Sequence, residues 1–387
     1  MKRIRYGLLL VMTVIIAVVL GGCGGSQGVK TEGDNALYVG VAGPFSGDGA
    51  EYGAMWKKGL EIAAEEINAK GGVKGRPIKL IYEDSQADPK QAASIAQKFV
   101  KDERIIAELG DFSTNATWSA SPIYQKAGLV QFAFNPSHPE LTKHGDYVFQ
   151  LCPTQADQAI AMANLATDKL KAKRVAVLYL NTDFGKAVKD NAVQAVTAKQ
   201  AEVVATEAYL STDKDFKAQL TKVKELNPDV IILGSYYTDT ALIMKQAKDL
   251  GVKATFIASS SVHSPALLSL GGDAVEGLVT LSVFNIGNPG ETLQHFTAKY
   301  QEKYGASEPD TFAVQAYDAL RLIANAAEKS AEQGEITRKS VRDELAKTQN
   351  FPAASQNYIT YSPTRQLSQP ELFPIIVKEG KFVPYNL

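Results

Sequence analysis

The sequence predicts an α/β protein of two doubly wound lobes, each built on a parallel sheet. Three observations carry that expectation. From Leu37 onward, short β-branched apolar runs alternate with amphipathic helical segments. The alternation comes as two series of similar length, the second beginning after Cys152-Pro153. Beyond Asn285 the pattern turns mostly helical and then ends in strand-like pieces. Alternating βα units favour parallel sheets with helices on both faces, because each crossover must pack back on the sheet.

In the first series, ALYVGVAG reads as a strand and WKKGLEIAAEEINAK as a helix closed by Gly71-Gly72. IKLIYEDS is a strand. DPKQAASIAQKFVKD is a helix with Asp88 as its N-cap and Pro89 in its first turn. Ala92, Ile95, Ala96, Phe99 and Val100 recur on one face of it. RIIAELG and GLVQFAFN are strands around the helix WSASPIYQKAG. In the second series the helices QADQAIAMANLATDKLK, FGKAVKDNAVQAVTAKQ, DFKAQLTKVKELN and TDTALIMKQAKDLG alternate with the strands RVAVLYLN, AEVVATEAYL, DVIILGSY and ATFIASSS. LVTLSVFN is a further strand. Helices then cover 291–304, 311–330 and 336–347. NYITYSP reads as a strand, and LFPIIVKEGKFVPYN as a hairpin turning at Glu379-Gly380.

The N-terminus bears on compartment. Lys2, Arg3 and Arg5 precede an uncharged apolar run over residues 6–20, shorter than the roughly 20 residues a membrane span needs. Leu20-Gly21-Gly22-Cys23 follows, the pattern of a secretory signal over 1–22 that ends in a lipobox. Cys23 is then expected to head the mature chain and carry acyl chains. Several such chains, at about 0.8 kcal/mol per buried methylene, hold a protein stably on a membrane. Residues 23–35 read as a lipid-anchored flexible tether. Loss of 1–22 removes three positive charges and no negative ones, so 38 basic residues face 42 acidic ones and the net charge moves from -1 to -4. No basic patch points to nucleic acid. Export permits disulfides, but Cys152 is the one cysteine left after Cys23, so stability is expected to come from the core.

In open α/β sheets ligands bind outside the C-terminal ends of the strands. The informative segments are therefore 43–53, 111–117, 134–138, 181–185, 234–239 and 259–264. The first, within GPFSGDGAEYGAMW, stands where a nucleotide loop would. Its Gly47, Gly49 and Gly53 have the wrong spacing for a dinucleotide fingerprint, and no G-x-x-x-x-G-K-[ST] occurs. No nucleotide or other cofactor is expected. Of four histidines, His138 and His263 follow strands; both read as polar loop residues rather than catalysts. Ser259-Ser260-Ser261 with His263 is too local to define a triad. No zinc or calcium spacing is present. The post-strand segments instead carry hydroxyls, amides and aromatics: Ser113, Thr114 and Asn115; Asn135 and Ser137; Phe184; Tyr236 and Tyr237. That is binding chemistry without an acid, base or nucleophile.

These residues fall within longer motifs: GPFSGDGAEYGAMWKKGLEIAAEEINAKGGVKGRPIKLIYEDSQADPKQA, HPELT, TDFGKAV, VIILGSYYTDTALIMKQAKDLG and TFAVQAYDA. With them the chain resembles the type I periplasmic solute-binding proteins of ABC importers, in the branched-chain amino-acid (Leu/Ile/Val) group and in lipoprotein form. The resemblance runs from about Leu37 almost to the C-terminus. It implies two Rossmann-like lobes joined by a three-crossover hinge that close on a ligand. The lobes would be 36–152 plus 286–357, and 153–285 plus 358–387, with crossovers near Cys152-Pro153, Phe284-Asn285 and 357–361.

The resemblance also implies a site. Tyr52 would be an apolar wall, and Ser113 and Thr114 the hydroxyl pair for an α-carboxylate. Ser137 would read carboxylate and ammonium, Phe184 would form an aromatic lid, and Tyr236 and Phe312 would make further contacts. Two departures matter. Ser260 stands where amino-acid binders carry the acid that pairs with the ligand ammonium, and a serine leaves a buried ammonium unpaired. Asn135 and Pro136 reshape the carboxylate end. Asp111, Asp183 or Asp239 would have to supply the charge; otherwise the ligand lacks an α-ammonium. The cysteine positions of the family's disulfide fall near Ala87 and Ser113, so that bridge is absent. The implied protein is a monomeric, exported, non-enzymatic binder, anchored through Cys23 on the periplasmic side or cell surface, that delivers its ligand to an ABC permease. Its ligand would be a branched-chain or related amino acid first. A non-amino-acid carboxylate, aromatic acid or amide is the alternative, and presentation of ligand to a sensor partner is another.

Overall fold

A computed structural model describes residues 35–305 and 308–385. The signal segment, Cys23 and most of the tether lie outside the described residues. The first series gives β1 (Leu37–Gly43), α1 (Ala50–Ala69), β2 (Ile78–Asp84), α2 (Pro89–Lys101), β3 (Ile105–Gly110), α3 (Thr114–Ala127), β4 (Val130–Ala133) and β5 (Val148–Gln150). Their strands make a parallel five-stranded sheet in the order β2-β1-β3-β4-β5. β1, β3 and β4 are buried throughout, as expected of strands covered on both faces. Local chemistry sets the helix ends. Asp88 accepts from the Lys90 and Gln91 amides, each at 2.9 Å, with Pro89 in the first turn of α2. Ser113 caps α3 by accepting from Ala116 N at 3.2 Å, and α3 stops at Gly128 in the left-handed region.

The second series gives α4 (Gln155–Asn164), which runs on into a π turn at Leu165–Lys169, then β6 (Arg174–Leu180), α5 (Asp183–Ala198), β7 (Glu202–Tyr209), α6 (Lys217–Glu225), β8 (Val230–Gly234), α7 (Tyr237–Asp249), β9 (Thr255–Ala258), α8 (Pro265–Gly271) and β10 (Val279–Ser282). After these come α9 (Glu291–Tyr304), α10 (Thr311–Glu332), α11 (Arg338–Ala346), the short pieces β11 (Phe351–Pro352) and β12 (Tyr358–Ile359), β13 (Phe373–Lys378) and β14 (Lys381–Pro384). The second sheet has the order β14-β13-β10-β9-β8-β6-β7. It is parallel from β7 to β10 and closes with the antiparallel pairs β10-β13 and β13-β14. The turn of that hairpin places Glu379 and Gly380 at φ 52° and 69°, the positive pair a two-residue type I′ turn demands.

Two elements depart from the sequence reading. β5 is an additional strand, and NYITYSP contributes only Tyr358–Ile359, paired with Phe351–Pro352. Both are short, and a three-residue run carries too little alternation to be recognised.

α10 is buried on almost all sides and lies against α1. A Cβ on Gly59 of α1 would come within 2.0 Å of Ala313 O, so the two backbones touch because Gly59 has no side chain. α10 thereby brings its first turn up to the C-terminal ends of the strands. Both sheets carry a switch point, between β1 and β3 in the first and between β6 and β8 in the second, where the connections part to opposite faces and leave a crevice.

Candidate functional site

The crevices of the two sheets meet in one cavity. Thr114 follows β3, and Asn135 and Ser137 follow β4. Phe184, Tyr236 and Ser260 follow β6, β8 and β9, and Phe312 comes from the first turn of α10. These seven of the nine sequence-predicted contact residues line it. The cavity volume is small, about 30 Å³, room for a few waters or a ligand of few atoms. The two sheets' loops are therefore closed on one another.

Aromatic rings form one wall. Phe184 stacks on Tyr236 with centroids 4.8 Å apart, and Phe112 meets Tyr236 at 5.2 Å. Tyr52 and Ser113, the other two predicted residues, do not line the cavity. Tyr52 stands one layer back, stacked on Phe112 at 4.0 Å. Its hydroxyl donates to Ser261 O at 3.2 Å and accepts from Tyr237 N at 3.3 Å. It therefore ties α1 to the loops of the second sheet, and burial pushes its hydroxyl well above the usual tyrosine range. Ser113 is drawn off by the cap of α3, and its hydroxyl also donates to Ala87 O at 3.3 Å. Two further bonds cross between the sheets' loops. Asn115 Nδ2 donates to Asp183 Oδ2 at 2.8 Å, and His263 Nδ1 lies 2.8 Å from the Thr311 hydroxyl. Burial drives the His263 pKa down to about 3, so its ring is neutral.

The opposite wall is polar and uncharged. Asn135 Nδ2 donates to Gln315 Oε1 at 2.8 Å. Gln155 Nε2 donates to the Ser137 hydroxyl. Ser260 N donates to Gln158 Oε1 at 2.9 Å. Cys152 completes this side. Burial pushes its thiol up to about 12, so it stays protonated. Among the described residues, no Asp, Glu, Lys, Arg or His lines the cavity. None of the three candidate substitute acids lines the cavity, and each has at least one carboxylate oxygen bonded away from it. Asp111 accepts from Phe112 N, Asp183 from Asn115, and Asp239 from the Tyr209 hydroxyl at 3.1 Å.

The sequence reading did not single out Phe112, Gln155, Gln158 and Gln315 as lining residues. The sheet rule locates residues just after strands, whereas Gln155 and Gln158 lie in the first turn of α4 and Gln315 in the second turn of α10. A usable signal was present: Gln155 and Gln158, and Phe312 and Gln315, are i,i+3 pairs and so share a face at the start of an apolar helix.

The glycine-rich segment after β1 serves packing. Asp84 gathers it by accepting from Phe45 N at 2.8 Å, Ser46 N at 3.3 Å and the Ser46 hydroxyl. A Cβ on Gly53 would meet Pro44 O at 2.3 Å. The serine run is no relay to a histidine. Ser261 donates to Ser235 O at 2.8 Å and faces the Ser259 hydroxyl at 2.8 Å, while His263 pairs with Thr311. Among the described residues, no group of three or more His, Cys, Asp or Glu is placed to hold a metal ion. No helix among them is long and apolar enough to cross a membrane.

A two-sheet body with an aromatic and carboxamide cavity between its switch points matches a known family. The model described as "Periplasmic binding protein" matches residues 36–378. The chain belongs to this family. The Leu/Ile/Val-binding protein homolog 2 of Brucella abortus is 32% identical over 294 residues, covering 75% of this chain and 78% of that protein. The leucine-, isoleucine-, valine-, threonine-, and alanine-binding protein of Pseudomonas aeruginosa is 29% identical over 77% of this chain and 79% of its own. Among solved structures, the branched-chain amino acid transporter substrate binding protein LivJ of Streptococcus pneumoniae, in complex with isoleucine, has a TM-score of 0.83 at 27% identity, over 90% of this chain and 97% of that one. The leucine binding protein LivK of Thermotoga maritima has a TM-score of 0.84 at 27% identity, over 91% and 98%. The α/β architecture of two lobes, and a family of solute binders rather than enzymes, are thus shared with the periplasmic binding proteins.

Proposed function

We propose that this chain is the extracytoplasmic solute-binding component of an ABC importer, taking one small solute into the cavity between its lobes and handing it to a permease. One observation carries the reading: side chains from the strand ends of both sheets converge on a single closed cavity. Thr114, Asn135, Ser137, Phe184, Tyr236, Ser260 and Phe312 are its ligand contacts, and Tyr52 holds the closed form. The lobes are 36–152 plus 286–357 and 153–285 plus 358–387, moving about the three crossovers. Cys23 anchors the exported chain to the membrane as a lipoprotein, and the protein works as a monomer.

The names of the relatives supply a first ligand class, a branched-chain or related amino acid. One observation favours a second class of solutes without an α-ammonium: no ionised side chain lines the cavity, and an ammonium buried without a counter-charge is costly. Mass spectrometry of small molecules released from the natively purified protein, followed by calorimetry of each candidate, decides between the classes. Micromolar or tighter binding of one small solute with cleft closure is expected. A protein that neither carries nor binds any amino acid, small acid or amide is not a solute-binding component.

A further inference from the structure

If the interlobe cavity holds the transported solute, as proposed above, the polar atoms around it narrow what that solute must offer. Three carboxamide atoms there have no hydrogen-bond partner among the described residues: Asn135 Oδ1, Gln155 Oε1 and Gln315 Nε2. The other end of each group is tethered, Asn135 to Gln315 and Gln155 to Ser137. Gln315 Nε2 lies near the Cys152 thiol, a weak acceptor that leaves it free to donate elsewhere. Gln155 and Gln315 are each 1% exposed, so bulk water does not satisfy them. Of the fourteen buried side-chain polar atoms without a partner among the described residues, these three are the ones that line the cavity, and they belong to one wall of it.

Together they present two acceptors and one donor. A carboxylate brings acceptors only and would face at least one unpaired oxygen, that of the Asn135–Gln315 pair, in either orientation of the amides. A zwitterionic amino acid brings a cation to a lining without an anion. A primary carboxamide brings two N–H donors and one carbonyl, the complement of the set. The Thr114 hydroxyl, at the start of α3, is a further donor for that carbonyl. The stacked Phe184 and Tyr236 rings suit a flat, uncharged group. Rotating the side-chain amides exchanges donors for acceptors but leaves the set mixed and neutral. We infer that the cavity selects an uncharged primary amide or ureide over amino acids and carboxylates.

Three probes that share an isobutyl group test this: isovaleramide, isovalerate and leucine, titrated calorimetrically into the full chain. The amide is expected to bind at least tenfold more tightly than either of the others. Equal or tighter binding of leucine or isovalerate overturns the inference and leaves the solute-binding reading standing. Failure of all three to bind also overturns it, while the solute-binding reading falls only if, in addition, no small molecule is carried by the native protein. Gln155→Glu places a carboxylate in the first turn of α4, where a helix tolerates it well. It should weaken isovaleramide at least tenfold and strengthen leucine. Gln315→Leu should weaken isovaleramide by a similar factor without helping leucine. Amide affinity unchanged in both variants overturns the inference.

Discussion

Thr114 and Asp111 lie three residues apart at the end of β3, and their side chains have different tasks. Thr114 is buried, lines the cavity and makes no side-chain hydrogen bond among the described residues. Its hydroxyl is therefore available to ligand, and the fold does not depend on it. Thr114→Ala should weaken ligand binding by about 1–3 kcal/mol, the range for losing a buried hydrogen bond. The melting temperature of the unliganded protein should hardly move. Affinity that stays the same removes Thr114 from the site. Asp111 is buried behind the cavity, and its Oδ2 has no partner among the described residues. Burial raises its pKa to about 7, against hydrogen bonds from Ser85 and Phe112 N that lower it. Between about pH 4 and pH 7 the folded state thus holds a proton that the unfolded state has released. Stability from this group is full below its ordinary pKa and declines as pH rises through about 7. Asp111→Asn keeps an acceptor for Phe112 N and removes the charge. The variant's gain in melting temperature over the parent should grow from pH 4 to pH 7.5 and then level off. A gain that is the same at every pH would contradict the buried-proton account.

Packing of α10 on α1 shows how far pattern reading reached. Strands β1, β3, β6 and β8 and helices α1, α2, α5 and α7 were legible because each has a long, regular apolar period and a recognisable cap or glycine stop. The hairpin at Glu379-Gly380 was legible from its turn chemistry. The backbone contact at Gly59 was not, since a glycine within a helix pattern does not say which other helix it meets. The same limit applies to the site. Residues that follow strands could be located from the sheet rule, but Gln155 and Gln315 reach the cavity only through tertiary placement of α4 and α10. Gly59→Ala would force these helices apart, because the new methyl meets backbone, not a movable side chain. A loss of about 1–3 kcal/mol in stability is expected. Ligand affinity should also fall, since Tyr52 on α1 and Phe312 on α10 pack ring to ring at 4.7 Å beside the site. Denaturant titration with and without ligand measures both. Full stability in the variant would mean that α10 does not rest on α1 at Gly59.

Closure of the two lobes rests on few polar ties, and that sets the behaviour of the molecule as a transporter component. Tyr52 bridges to Ser261 and Tyr237, Asn115 to Asp183, His263 to Thr311 and Gln155 to Ser137. Each net hydrogen bond is worth about 0.5–1.5 kcal/mol, so the closed arrangement without ligand is separated from open ones by an amount that thermal populations can sample. A ligand adds the remaining free energy, and delivery requires that a permease be able to reopen the lobes. The cavity, at about 30 Å³, is too small to admit a solute of amino-acid size while the lobes stay closed, so binding proceeds through the open population. Tyr52→Phe with Asp183→Ala cuts the Tyr52 and Asn115 ties while leaving the cavity lining and the His263–Thr311 bond intact. The radius of gyration of the unliganded double variant, measured by small-angle scattering, should rise and return to the parent value on saturation with ligand. Association should quicken, because more molecules are open. Dissociation should quicken by a larger factor, because the closed complex has lost two of its latches, so net affinity falls. A variant whose dissociation is unchanged would place the energy of closure in ligand contacts alone, with Tyr52 serving only to pack against Phe112.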